Sequence, residues 1–143
     1  MTPLRWAFWR RPPDPLGEGV WARAAHTVDR AVRRYEQMVD GCPAGPVRAE
    51  LEVFLPRMDA VARRAHAVCV RAQAQAPSTQ LTVPGGAHGE LHRRLTRTAT
   101  ACAQAAEAAA MARVGADDGT AAVEERVAAV GRAVERAEQL VGD

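Results

Sequence analysis

The 143-residue chain contains no lysine, isoleucine or asparagine, and it has only one serine and six aromatic residues. The three absent amino acids have AT-rich codons, whereas alanine, which occurs 31 times, has GC-rich codons. This composition indicates a gene from a GC-rich bacterial genome. Because all 19 basic residues are arginine, a high arginine content by itself does not indicate phosphate recognition in this chain.

Long apolar runs and a strong net charge are also absent. No run of about 18 apolar residues is present, so no transmembrane segment is predicted. The N-terminus lacks the apolar region of a secretory signal peptide. Three widely spaced cysteines suit a reducing compartment better than a disulfide scaffold. The sequence therefore predicts a cytoplasmic location. A net charge of +2 provides no strong field for nucleic acid.

Four segments carry apolar residues at alternating steps of three and four, the spacing of one buried stripe on a helix. The stripes are Trp21, Ala25, Val28, Val32, Tyr35 and Val39; Val47, Leu51, Phe54, Met58, Val61, Ala65, Val68 and Ala72; Leu91, Leu95, Thr98, Cys102, Ala105, Ala109 and Ala112; and Val123, Val127, Val130, Val134, Ala137 and Val141. They predict helices over about 20–40, 46–75, 88–113 and 120–141. The expected fold is all-α, an antiparallel up-down-up-down four-helix bundle over 17–143 that follows an N-terminal arm over 1–16.

Proline and aspartate positions refine the helix boundaries. Asp14 is a plausible cap for the first helix, and Asp117 with Asp118 is placed to cap the fourth. Pro56 lies inside the second stripe without changing its register, which predicts a kink rather than a turn. Folding the chain back within 76–87 pairs the second helix with the third. That pairing predicts that Ala105, Ala109 and Ala112 face Met58, Phe54 and Leu51.

Catalytic patterns are missing from the sequence. No Glu occupies a stripe position and no Glu-x-x-His pair exists, which excludes a di-iron bundle. Ser78 has no patterned base or acid beside it. Cys69 and Cys102 fall on or beside buried stripes, whereas Cys42 lies in the first turn and is the one cysteine predicted to be reactive. An ordinary loop position is the stronger interpretation of Cys42. No catalytic or cofactor-binding residue is predicted, and the chain is not expected to be an enzyme.

Two histidines form the only pattern that resembles a metal site. His88 and His92 are four residues apart, so one helix face would present both imidazoles. Further ligands would have to come from His66, Glu90 or a loop group. The segment reads HGELH and not the HExxH of zinc proteases. Two solvated histidines at a helix start are the favoured interpretation, and no bound metal is expected.

The N-terminal arm holds half of the chain's aromatic residues, interleaved with arginine. Trp and Arg are enriched in the energetically dominant residues of protein interfaces. Either the arm packs against the bundle end or it forms part of a contact surface. The predicted partner-binding residues are Trp6, Phe8, Trp9, Arg10, Arg11 and Trp21.

Three hypotheses for function follow. The leading one is a non-enzymatic cytoplasmic adaptor or scaffold that binds another protein or itself, including as a homodimer. The second is a bundle that binds a small ligand or a metal near Trp21, His66 and His92. The third is weak binding to nucleic acid or a membrane surface. The candidate residues for nucleic-acid binding are Arg30, Arg33, Arg34, Arg63, Arg64, Arg93 and Arg94. The favoured alternative is that these arginines lie on solvated helix faces and pair with acidic residues of the fourth helix.

Overall fold

A computed structural model describes residues 14–116 and 119–142. These residues form helices and connections and contain no strand. The helices are α1 (Val20–Asp40), α2 (Pro46–Glu52), α3 (Leu55–Gln75), α4 (Gly86–Arg113) and α5 (Gly119–Val141). Because α2 and α3 together form the second rod, the fold is the predicted four-helix bundle. Each helix in the described ranges lacks the length of apolar chain that would be needed to cross a lipid bilayer.

The core consists of the four predicted stripes. Every stripe residue is buried except Val47, whose exposed fraction is 39%. Thr98 is the one buried polar residue of the described chain, and its hydroxyl donates to the Arg94 carbonyl over 2.9 Å. Within the described residues, every buried side-chain nitrogen and oxygen has a hydrogen-bond partner. The bundle interior is therefore apolar, as the 3.5-residue spacing predicts.

The helices pack as two antiparallel hairpins, α1 with α3 and α4 with α5. Across the hairpins, α1 lies beside α4 and α3 lies beside α5, and these neighbours run parallel. Two contacts at opposite ends of α1 and α4 show the common direction: Trp21 lies against His88, and Arg113 Nη1 lies 3.5 Å from Met38 Sδ. The predicted pairing of the second rod with the third is therefore wrong, because α3 and α4 occupy diagonal corners.

The second rod is interrupted before Pro56 rather than kinked at it. Helix α2 ends at Glu52 and α3 begins at Leu55, so Pro56 lies in the first turn of α3. In a first turn the missing N–H of proline has no intrahelical partner to lose. Val53 and Phe54 keep right-handed helical backbone angles, so the rod continues without a reversal. The Leu51 carbonyl near the break accepts hydrogen bonds from Phe54 N over 3.3 Å and from the Tyr35 hydroxyl over 2.8 Å.

The helix starts agree with the sequence predictions within two residues. Asp14 does not cap α1: its carboxylate accepts from Leu16 N over 2.9 Å and its carbonyl accepts from Gly17 N over 3.0 Å, forming a separate turn. Leu16 in that turn is buried with the core. Asp117 and Asp118, predicted to cap the last helix, lie outside the described residues.

Candidate functional site

Trp21 lies at the pole of the bundle where α1 and α4 begin. Its side chain is 0% exposed, and the indole Nε1 donates to the Ala76 carbonyl over 2.9 Å. The rings of His88 and His92 lie 6.2 and 6.3 Å from the indole, centre to centre. Trp21 therefore caps the core and satisfies a carbonyl at the end of α3. It was predicted to take part in a contact surface, but it has no exposed area to offer because the stripe directs it inward.

Ser78 joins the long connection to the start of α1. Its hydroxyl accepts from Val20 N over 3.3 Å and donates to the Gln80 carbonyl over 2.8 Å. The Ser78 amide donates to Gln73 Oε1 over 3.0 Å. The single serine of the chain thus positions a loop.

Gln75 links three helices at the same pole. Its side-chain nitrogen donates to the Val141 carbonyl over 3.0 Å, and its oxygen lies 3.3 Å from His88 Nε2. The ends of α3 and α5 and the start of α4 are therefore held together by one amide side chain. At this pole, polar side chains therefore make hydrogen bonds between helices.

The predicted metal-ligand candidates are only partly brought together. His88 and His92 flank Trp21, whereas His66 is exposed on α3 at the diagonal corner. Glu90 binds arginines instead, with 2.7 Å to Arg93 and 3.0 Å to Arg94. The hydrogen bond from Arg93 lowers the pKa of Glu90, and burial lowers the pKa of His92. In the part of the chain that is described, no three His, Cys, Asp or Glu side chains are grouped to hold a metal ion.

All three cysteines are unpaired and buried. Burial raises the pKa of Cys69 and of Cys102 to about 12, so both thiols stay protonated at neutral pH. Cys42 is only 4% exposed, although it follows the end of α1. The weaker alternative, a reactive Cys42, is therefore contradicted for the folded chain, because its side chain joins the core.

A concave surface lies along the solvent side of α1. The largest groove of this surface, of about 700 Å³, starts at Gly17, runs past Arg23, His26 and Arg30, and is bounded by Leu81 of the connection before α4. A groove of about 470 Å³ continues along α1, and a third of about 190 Å³ lies between α1 and α4. Adjacent grooves share residues, so the three form one continuous surface, the α1 face. The shared residues are Arg23, Thr27 and Arg30.

The charges on the α1 face are unevenly neutralised. Arg33 reaches Asp29 over 3.1 Å and Glu36 over 3.7 Å. No carboxylate of the described residues lies within ion-pair distance of the other arginines of the face, which are exposed. These are Arg23, Arg30 and Arg34. Spacings of seven and four residues keep the three arginines on one stripe of the helix. Viewed along the helix axis, Arg30 and Arg34 lie about 20° to either side of Arg23.

Two of the four other candidate arginines are neutralised within their own helix. Arg93 and Arg94 share Glu90, as described above. The predicted pairing with acids of the last helix occurs at Arg64, which donates to both carboxylate oxygens of Glu138 over 3.0 and 2.5 Å. The described part of the chain provides no ion-pair partner for Arg63. The seven arginines of the nucleic-acid hypothesis therefore do not act as one free basic surface.

Sequence reasoning identified part of the α1 face and missed the rest. Arg30 and Arg34 were among the candidate nucleic-acid residues, whereas Arg23 and Leu81 were not candidates. The spacing of Arg23 from Arg30 opposite the apolar stripe is the signal that connects them. Leu81 has no such signal, because its position depends on the path of the long connection.

The remaining predicted contact residues belong to the N-terminal segment. Trp6, Phe8, Trp9, Arg10 and Arg11 lie outside the described residues. The chain leaves that segment at Asp14 and reaches the rim of the largest groove at Gly17. Comparison with protein families, with curated proteins and with solved structures finds no match to this chain.

Proposed function

We propose that the chain is a non-enzymatic interaction module of the cytoplasm, an adaptor or scaffold that binds another protein through the α1 face and the adjoining N-terminal segment. The observation that supports this most directly is the continuous concave surface along α1, on which Arg23, Arg30 and Arg34 are exposed without ion-pair partners among the described residues. Arginine beside an apolar side chain such as Leu81 is a common composition for a protein interface.

The N-terminal segment adds the residue types that dominate binding energy. Residues 1–13 contain three arginines, two tryptophans and one phenylalanine, and no acidic residue. Since this segment joins the bundle at the rim of the largest groove, Trp6 and Trp9 extend the same contact surface in this proposal. The buried thiols support a reducing compartment, because none is paired in a disulfide.

A small-ligand site is the second candidate, and the groove beside His92 is the observation in its favour. That groove measures about 190 Å³ and is lined by His92, Leu95, Arg23 and small residues of α1 and α4. It is smaller than the pockets that usually enclose a drug-sized ligand. We therefore rank it below the interaction module.

Affinity capture with matched variants tests the proposal. The bait is the whole chain, compared with Arg23→Glu/Arg30→Glu, with Trp6→Ala/Trp9→Ala, and with the control Arg71→Glu/Arg136→Glu, whose arginines are exposed on other helices. We expect the first two variants to lose a partner that wild type and control retain. Light scattering after size exclusion reports whether that partner is a second copy. A strict monomer whose two test variants keep every partner would contradict the proposal.

A further inference from the structure

We infer that the segment bound by the α1 face is an acidic amphipathic helix of the partner protein, lying along α1 in the groove beside α4. This inference rests on the proposed function and names the chemistry of the partner. It follows from the charge, the shape and the internal carboxylates of the α1 face.

The charge of the face selects acidic side chains. Arg23, Arg30 and Arg34 lie on one stripe that covers about 16 Å of helix rise. A partner helix that runs alongside α1 has the same repeat, so glutamates separated by seven and four residues would meet all three guanidinium groups.

The shape of the face suits a helix. Between α1 and α4 the groove is lined by the small residues Ala24, Thr27, Thr96 and Ala99, together with Arg23, His92 and Leu95. Small side chains on both walls allow a third helix to approach at the ordinary interaxial distance of about 8–10 Å.

The carboxylates within the face argue for a protein rather than a nucleic acid. Glu18 and Asp29 line the largest groove together with Arg23 and Arg30. A phosphate backbone carries a charge at every step and would be repelled by Glu18, whereas Asp29 is already paired with Arg33. An amphipathic helix can place its own neutral residues opposite Glu18 and Asp29 and its glutamates opposite the arginines.

Two synthetic peptides of identical composition test the inference. The patterned peptide is an alanine-rich helix with glutamates at i, i+4, i+7 and i+11 and leucines beside them, which satisfies the spacing in either chain direction. The shuffled peptide distributes the same residues around the helix. Each carries a fluorescent label, and anisotropy measures binding to the whole protein. We expect the patterned peptide to bind at least about fivefold more tightly and to weaken several-fold between about 50 and 200 mM salt.

Charge reversal provides the decisive control. The triple variant Arg23→Glu/Arg30→Glu/Arg34→Glu should lose at least about tenfold in affinity for the patterned peptide. It should gain affinity for a peptide in which each glutamate is replaced by arginine. The Arg71→Glu variant changes an exposed arginine of α3 and should bind the patterned peptide like wild type. Circular dichroism of each variant verifies the helical fold.

The outcomes separate this inference from the proposed function. Equal binding of the two peptides, an equal loss in Arg71→Glu, or failure of charge reversal overturns the acidic-helix inference. Tighter binding of a labelled DNA oligonucleotide than of the patterned peptide also overturns it and identifies a nucleic-acid surface. If affinity capture still depends on Arg23 and Arg30 in any of these cases, the interaction module stands and only the chemistry of its partner changes.

Discussion

Two glycines with opposite surroundings show how closely the pole is packed. A Cβ atom added to Gly19 would lie 2.4 Å from Ser78 Oγ and 2.5 Å from the Ser78 carbonyl carbon and oxygen. A Cβ added to Gly131, within α5, would meet no atom within 4 Å. Gly19 is therefore required by the approach of the connection to α1, whereas Gly131 has no steric requirement for glycine.

We predict opposite effects when these two glycines are replaced by alanine. Gly19→Ala should destabilise the fold by about 1–3 kcal/mol, since the backbone of Ser78 must shift. Gly131→Ala should stabilise it by about 0.5–1 kcal/mol, because alanine has the higher helix propensity. Urea unfolding followed by circular dichroism measures both changes. A neutral Gly19→Ala variant would show that Ser78 does not pack against α1.

His92 is predicted to make the fold sensitive to mild acid. Burial beside Trp21 lowers the pKa of His92 below its ordinary value of 6.5. Because the folded state then binds a proton less readily than the unfolded state, the stability present above pH 6.5 is lost as the pH falls through the lowered pKa.

Between pH 7.5 and pH 5, a range that spans the usual histidine titration, the melting temperature of His92→Gln should therefore fall less than that of wild type. His66→Gln is the matched control, because His66 is exposed on α3. Thermal melts of the three proteins across this range give the comparison. Parallel pH profiles for wild type and His92→Gln would refute the assignment.

At the scale of single residues, the stripe predicted burial well and accessibility poorly. Trp21 belongs to the first stripe, which correctly placed it in the core, but its proximity to the N-terminal arm suggested a contact role. Its hydrogen bond to Ala76 depends on where the second rod ends. Cys42 lies two residues after the end of α1 and is buried with the core. Such positions depend on tertiary packing, which helical periodicity does not report.

At the scale of helices, the length and identity of each rod were predictable because apolar spacing and proline position are local. Helix α1 has the predicted limits. Helices α4 and α5 begin at Gly86 and Gly119, within two residues of their predicted starts. The break at Val53 was not predicted. Near this break, the Leu51 carbonyl accepts a hydrogen bond from the hydroxyl of Tyr35 on α1. A hydrogen bond between two helices cannot be predicted from the second stripe alone.

Glu36 tests the contact between α1 and α3. A hydrogen bond with the carboxyl group of Asp59, then burial and the Asp59 charge, raise the pKa of Glu36. The ionised pair is therefore unfavourable in the folded state. The protonated form of Glu36 is the stabilising one. It exists at low pH, and its contribution to stability is lost as the pH rises through the raised pKa.

Glu36→Gln should raise the melting temperature by about 1–3 °C at pH 7, because the amide can donate to Asp59 without like-charge repulsion. The gain should disappear near pH 4, where wild-type Glu36 carries its proton. Glu124→Gln, on the exposed side of α5, is the control and should leave the melting temperature unchanged. A decrease at pH 7 would show that the ion pair with Arg33 outweighs the repulsion.

At the scale of the whole molecule, the helix arrangement was the part that sequence reasoning missed. The second and third rods are joined by residues 76–85, which are long enough to cross the bundle diagonal of about 14 Å. An apolar stripe of valine and alanine packs equally well against several neighbours, so the stripes alone do not select which rods are adjacent. The α1 face depends on this arrangement, since α1 and α4 become neighbours only when the connection crosses the diagonal.

The Arg64–Glu138 ion pair reports on this arrangement because it joins α3 to α5, one from each hairpin. The hydrogen bond from Arg64 to Glu138 is the main cause of the raised pKa of Arg64, although both side chains are more than a third exposed. We therefore expect a coupling free energy of only about 0.5 kcal/mol, reduced by salt. A double-mutant cycle with Arg64→Ala and Glu138→Ala, measured by urea unfolding in low and high salt, determines it. Arg63→Ala with Glu138→Ala is the matched cycle. Equal coupling in the two cycles would contradict the parallel packing of α3 beside α5, because adjacent arginines point about 100° apart on a helix and only one of them can face Glu138.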